Sequence, residues 1–233
     1  NVGISSESEL KAFVEGKRDA GIFLSVLGFG SGNYRDRNME ALADNGNGVY
    51  YYIDGESEAQ KVFGTDLIST LYTVAKDVKL QLTFDPAYIA AYRQIGYENR
   101  QLAREDFEDD TKDAGEVGAG HQVTVFYELT LTENAAKPDA ASEKWMDLAV
   151  RYKEPDGVTS KENRYTIGGA DRKALDSDTS FMICVIELTM LLHESKYLPE
   201  DVTYASVLAK LNGLDLDTHT DRAEFRRLVA AFA

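Results

Sequence analysis

Ala75-Lys-Asp-Val-Lys-Leu-Gln-Leu-Thr-Phe84 is where the chain changes its period. Val78, Leu80, Leu82 and Phe84 alternate with Asp77, Lys79, Gln81 and Thr83, the two-residue repeat of a strand with one apolar and one wet face. Upstream the rhythm is different. Ser6 and Glu9 form a capping-box pattern ahead of Leu10, Phe13 and Val14 at helical spacing, and Gly21 ends that helix. Residues 22–29 form a nearly unbroken apolar run, the mark of a strand buried on both faces of a parallel sheet. A helix carrying Met39, Leu42 and Ala43 closes at Asn45-Gly-Asn-Gly48 and leads into a second strand over 49–53. Asp54 stands where it can cap a third helix with Ala59, Val62, Phe63, Leu67 and Leu71 on one face. This order of helices and strands predicts part of a doubly wound parallel sheet over residues 1–75, and a separate domain over 76–233.

Downstream the signals are those of an antiparallel β-sheet or sandwich followed by helices, so the fold class is α/β followed by α+β. Tyr92, Ile95 and Tyr97 read as strand residues that build a core, as do residues 122–131 and 145–152. Glu154-Pro-Asp-Gly157 is a turn, and residues 164–167 make a further strand. Helices are expected at about 178–195, 203–211 and 221–232, the first capped by Asp178 with Phe181, Cys184, Val185, Leu188, Leu191 and Leu192 inward. They are expected to close the domain as a helical cap on the sheet.

Composition removes several classes of function. A net charge of -15, with 40 acidic against 25 basic residues, opposes nonspecific binding to nucleic acid, which needs clustered Lys and Arg. Cations and basic protein partners suit it better. With Cys184 as the single cysteine there is no internal disulfide and no cysteine-rich metal site. The apolar run 181–192 is interrupted by Glu187 and Thr189 and falls short of the ~20 residues that a membrane span needs. The start at Asn1, with neither methionine nor an apolar leader, is expected for a fragment.

The candidate chemistry is sparse. Gly28-Phe-Gly-Ser-Gly-Asn33 follows a strand, but Asn33 stands where a dinucleotide fingerprint needs glycine, so the loop reads as a tight turn. The run 105–116 concentrates carboxylates. Asp106, Asp109, Asp110, Asp113 and Glu116 are the candidate ligands for a hard cation such as calcium, although their spacing is not that of an EF-hand. The three histidines, His121, His193 and His219, are far apart and match no zinc pattern. A hydrolase would need Ser180 or Thr124 brought to His121, and no nucleophile signature supports that. No catalytic residue and no bound cofactor is therefore expected in this chain.

Residues 22–30 with Gly32-Asn33, and 39–54, Met-Glu-Ala-Leu-Ala-Asp-Asn-Gly-Asn-Gly-Val-Tyr-Tyr-Tyr-Ile-Asp, resemble the C-terminal half of a von Willebrand factor type A domain. Ala75-Lys-Asp-Val-Lys, Tyr92-Arg-Gln-Ile-Gly-Tyr-Glu-Asn-Arg, Asp113-Ala-Gly-Glu-Val-Gly-Ala-Gly-His and Tyr127-Glu-Leu resemble bacterial exported proteins in which a type A domain precedes a C-terminal domain of uncharacterised function. The resemblance covers essentially the whole chain. It implies a binding or adhesion role in the cell envelope, a structural scaffold being the alternative. It also implies a divalent cation, Mg or Ca, held by motifs that lie before Asn1. Asp176-Ser-Asp-Thr-Ser180 departs from the family's metal motif and reads as helix capping, so no adhesion-site residue carries over. The strand at 22–29 would then lack a neighbour, and its apolar edge is expected to be covered by the missing half of the type A domain or by a second copy.

Overall fold

The computed structural model describes residues 6–30, 36–66, 71–97, 100–112, 114–216 and 220–233, and divides the chain into two compact units, 1–169 and 170–233. The first unit opens with α1 (Glu7–Arg18), β1 (Val26–Phe29), α2 (Asp36–Asn45), β2 (Tyr50–Ile53) and α3 (Glu56–Lys61). Ser6 caps α1 by accepting from the Glu9 amide, and Gly21 takes a positive φ just beyond its end. β1 and β2 pair in parallel, Val26 against Tyr50 through Phe29 against Ile53, as a sheet of two strands. The α2–β2 connection depends on Gly48, because a Cβ there would stand 1.8 Å from the Leu24 carbonyl oxygen.

One expectation fails in this region. Burial of 22–29 on both faces is not observed: the strand begins only at Val26, and Ile22, Phe23, Leu24 and Phe29 are exposed. The reason is the sheet itself, which supplies β1 with β2 as its only neighbour among the described residues. The third helix is irregular, and Leu71 is again in helical conformation. Gly55, not Asp54, caps α3, which gives way after Lys61 to a π-helical turn, Val62–Asp66, containing Gly64. Mid-helix glycine costs about 1 kcal/mol relative to alanine, and Gly64 falls within the stretch where the regular α-helical pattern gives way. Val62 is buried, Leu71 is exposed, and Leu67 lies outside the described residues.

The change of period at Ala75 falls inside β3 (Thr73–Phe84), a strand of 12 residues. It is followed by β4 (Ile89–Ile95), β5 (Gly115–Gly118), β6 (Phe126–Leu131), β7 (Lys144–Lys153) and β8 (Ser160–Gly168). The antiparallel arrangement is as expected. A four-stranded sheet has the order β5-β3-β7-β8, and β4 pairs with β6 as a separate two-stranded sheet. Trp145 anchors a core with Ile89, Ala135 and Ala140, stacks on Tyr88 and donates from Nε1 to the Ala140 carbonyl at 3.0 Å. Tyr92 and Tyr97 do not build a core as expected. Tyr92 stacks on Phe84 with its outer face in solvent, and Tyr97 lies beyond β4 at a positive φ. Gly96, also at positive φ, ends the strand and turns the chain before Tyr97 can continue its alternation.

The second unit contains the three expected helices, α4 (Ser177–Leu192), α5 (Tyr204–Asn212) and α6 (Thr220–Ala230). They bury their own core of Cys184, Leu188, Val202, Val207, Leu211, Leu216 and Val229. Asp176, rather than Asp178, is the N-cap of α4, and Thr203 with Ser206 forms a reciprocal capping box on α5. Asp178 instead accepts from Arg222 on α6 at 2.6 Å. No described helix is long and apolar enough to cross a membrane.

Candidate functional site

The acidic segment closes over the polar face of the four-stranded sheet. Directly opposed residues of antiparallel strands share a face. The register therefore sets Lys79, Arg151 and Glu162 in one row, and Gln81, Ala149 and Arg164 in the next. A 3₁₀ turn, Arg104–Phe107, packs on β3 with Phe107 buried, and the chain continues across this face to Lys112.

Lys79 is the centre of the arrangement. The alternation along β3 placed it on the wet face, yet it is only 3% exposed, whereas Leu80 on the opposite face is 53% exposed. An ammonium taken out of water needs acceptors for its N–H groups. Lys79 Nζ finds them in the Asp106 carbonyl at 3.1 Å and the Asp109 carbonyl at 2.5 Å. The acidic loop does wrap a cation, and that cation is a lysine of the same chain.

The surrounding charges are matched one to another. Asp110 Oδ1 accepts from Arg151 Nη2 at 3.0 Å and from the Ser160 hydroxyl. Those two contacts, the Ser160 hydroxyl first, hold its carboxyl below the usual carboxylate range. Lys153 Nζ donates to Asp77 Oδ2 at 2.6 Å and to the Asp110 carbonyl at 3.0 Å. Asp77 sits at a positive φ where the β3 ladder is irregular, and its other oxygen accepts from the Ala114 amide. Asp106 pairs with Lys112 at 3.5 Å. Asp109 turns back to accept from the Thr111 hydroxyl and amide, and these hydrogen bonds lower its pKa.

Of the candidate cation ligands, then, Asp106, Asp109 and Asp110 are engaged within the chain, Glu116 lies on β5, and Asp113 is outside the described residues. Among the described residues no three His, Cys, Asp or Glu side chains are grouped so that they could hold a metal ion. The partners that sequence reasoning missed are Lys79, Arg151, Lys153 and Ser160. The signal was faint: Arg151 and Lys153 sit two apart on one face of β7, but nothing local says which loop crosses them.

The remaining candidates are dispersed. The His121 amide donates to Gly118 in a turn after β5, His193 is the C-cap of α4, and His219 lies outside the described residues. The Ser180 hydroxyl donates to the Asp176 carbonyl, Thr124 is exposed, and burial together with the nearby Glu187 raises the Cys184 thiol. The Asp176 carboxylate accepts from the Thr179 amide at 2.7 Å, so the Asp176–Ser180 segment acts as a cap. Gly30 turns the chain after β1, while residues 31–33 of the glycine loop lie outside the described residues. Ile22, Phe23, Leu24, Phe29 and Tyr52 leave an apolar flank around β1 and β2.

A family model described as "Uncharacterized protein YfbK, C-terminal" matches residues 69–233, beginning just ahead of β3. The chain belongs to the YfbK C-terminal family. It is 38% identical over 242 residues to a protein of Escherichia coli strain K12 described as "Uncharacterized protein YfbK". That alignment takes in 98% of this chain but 42% of the relative, so the chain spans less than half of the relative's length. The acidic strap, its basic floor and β8 all lie in the part matched by the YfbK family model. Among solved structures, the ArnB paralog VWA2 of Sulfolobus acidocaldarius aligns with a TM-score of 0.39 and 15% identity over 88% of this chain and 50% of that one.

Proposed function

We propose that this chain is a noncatalytic protein-binding module of a bacterial cell-envelope protein, related to von Willebrand factor type A adhesion proteins. The observation that supports this best is the unfinished apolar flank of β1 and β2. A parallel pair is stable when both faces and further strands cover it, yet Phe29 is 60% exposed and Ile22 59%. A protein surface completes this sheet, and the first occupant to consider is a segment corresponding to the part of the longer relative outside its alignment with this chain. A divalent cation, Mg or Ca, would belong to that part, because Asp176–Ser180 caps a helix and does not fit an adhesion metal site. Envelope placement rests on the sequence resemblance.

The test is recovery of the tagged full-length protein from its native envelope after mild cross-linking, with and without chelator. Cation-dependent adhesion predicts partner proteins that disappear on chelation. A scaffold predicts partners that survive it. Recovery of the protein alone under both conditions refutes a binding role.

A further inference from the structure

The four-stranded sheet ends in a long open strand. β8 pairs along its whole length with β7, from Ser160 against Lys153 to Gly168 against Lys144, and the only irregularity lies at the Gly168 end. Among the described residues no strand pairs with its other edge. Lys161, Asn163, Arg164, Tyr165 and Thr166 are exposed along it. There is no proline and, before Gly168, no glycine to interrupt it. An edge of this kind carries a row of unpaired N–H and C=O groups that can template another strand.

Charged residues on an edge strand ordinarily deter such pairing, and here the position of each charge decides which pairings are deterred. Two identical strands related by a two-fold axis pair antiparallel, and the axis must pass through one residue and its own copy. With the axis at Glu162, two carboxylates face each other. With the axis at Arg164, two guanidinium groups do. With the axis at Tyr165, no charges are matched. With the axis at Asn163, Glu162 faces Arg164 of the second copy twice over, Lys161, whose ammonium donates to Glu154 of its own chain at 2.6 Å, stands opposite Tyr165, and Ser160 faces Thr166. Opposite charges directly across strands are favourable, and like charges are not.

The contacts within one chain prepare that register. Arg164 stands opposite Ala149 on β7, which offers it no partner, and it turns along its own strand to reach Glu162 at 2.6 Å. Glu162 in turn lies across from Arg151, 3.8 Å away. A second copy would extend this row to Arg151, Glu162 and the incoming Arg164.

We propose that β8 is a self-association edge, through which two copies of this protein pair antiparallel about Asn163 to join their sheets. This surface is distinct from the flank of β1 and β2, and the proposal does not depend on the binding role above. A single strand pair buries less than a standard interface, so the dimer belongs to the weak, concentration-dependent class.

Sedimentation of the full-length protein over a concentration series tests it. The wild type is expected to show a monomer–dimer equilibrium weakened by salt. Glu162→Arg or Arg164→Glu alone should raise the dissociation constant about tenfold or more, and the combined exchange should bring it back to within about threefold. Because the exchange also changes the neighbour of Arg151, cysteine variants provide a second reading that does not depend on charge. Asn163→Cys places two thiols across the axis, with Cβ atoms roughly 5 Å apart, and should oxidise to a covalent dimer. Thr166→Cys separates them by about 20 Å and should not. A wild type that stays monomeric throughout, single reversals that associate as the wild type does, or equal cross-linking of the two cysteine variants would overturn the proposal.

Discussion

Replacing Lys79 with methionine probes the strap most directly. The side chain is 3% exposed, and methionine preserves most of its length and apolar stem. The change removes two hydrogen bonds from an ammonium to the carbonyls of Asp106 and Asp109. Hydrogen bonds with a charged partner contribute about 1.5–3 kcal/mol each, but removing the ammonium also removes the cost of burying it. The carbonyls sit in a loop that water can reach once it lifts, so the loss falls on local opening rather than on global unfolding. A local loss of roughly 2–3 kcal/mol is expected, which corresponds to about 30- to 150-fold faster exchange of protected amides. Asp106, Thr111 and Lys112 report it, since their N–H groups are hydrogen-bonded within the segment. The readout is amide hydrogen exchange at neutral pH, with the β7–β8 amides as internal reference. If strap amides of Lys79→Met exchange within about threefold of wild type, Lys79 is not what holds the strap.

Three further outcomes follow from the same geometry. Asp109 and Asp110 have lowered pKa values in the folded chain, so the stability they contribute is present above the unfolded value of about 3.9 and is lost as pH falls through their folded values. Limited proteolysis of 104–112 should accelerate below pH ~4, and Asp110→Asn should show fast cleavage already at neutral pH, with a flatter acid response. Gly48→Ala drives a Cβ into the Leu24 carbonyl, and thermal unfolding should report a loss of roughly 3 kcal/mol or more, whereas Gly16→Ala, with open space around it, should be neutral or slightly stabilising. Trp145→Phe removes the Nε1 donor to Ala140 and part of the Tyr88 stack. Urea denaturation should register a loss of about 1–3 kcal/mol, and Trp145→Ala one of about 3–5 kcal/mol.

Local chemistry by itself determined the identity and order of most elements. The strand over 78–84, the turn at Glu154–Gly157 and the helical spacing of Phe181, Cys184 and Leu188 depend on neighbours a few residues away, and each element appears as read. The family was legible too, because its words are contiguous in the chain. The content of each face was not. Lys79 and Leu80 look like a wet and a dry residue in the strand, but a segment about thirty residues further on covers the lysine and leaves Leu80 half in solvent. Likewise, the apolar run from Ile22 to Phe29 reads as doubly buried, and only the sheet shows that among the described residues β2 is the one strand paired with it. The acidic loop shows the division most clearly. Its sequence determined that it would seek positive charge, while the register of β3 against β7 and of β7 against β8 decided that Lys79, Arg151 and Lys153 would supply it. Strand register brings together residues separated by tens of positions, and no local pattern encodes that distance.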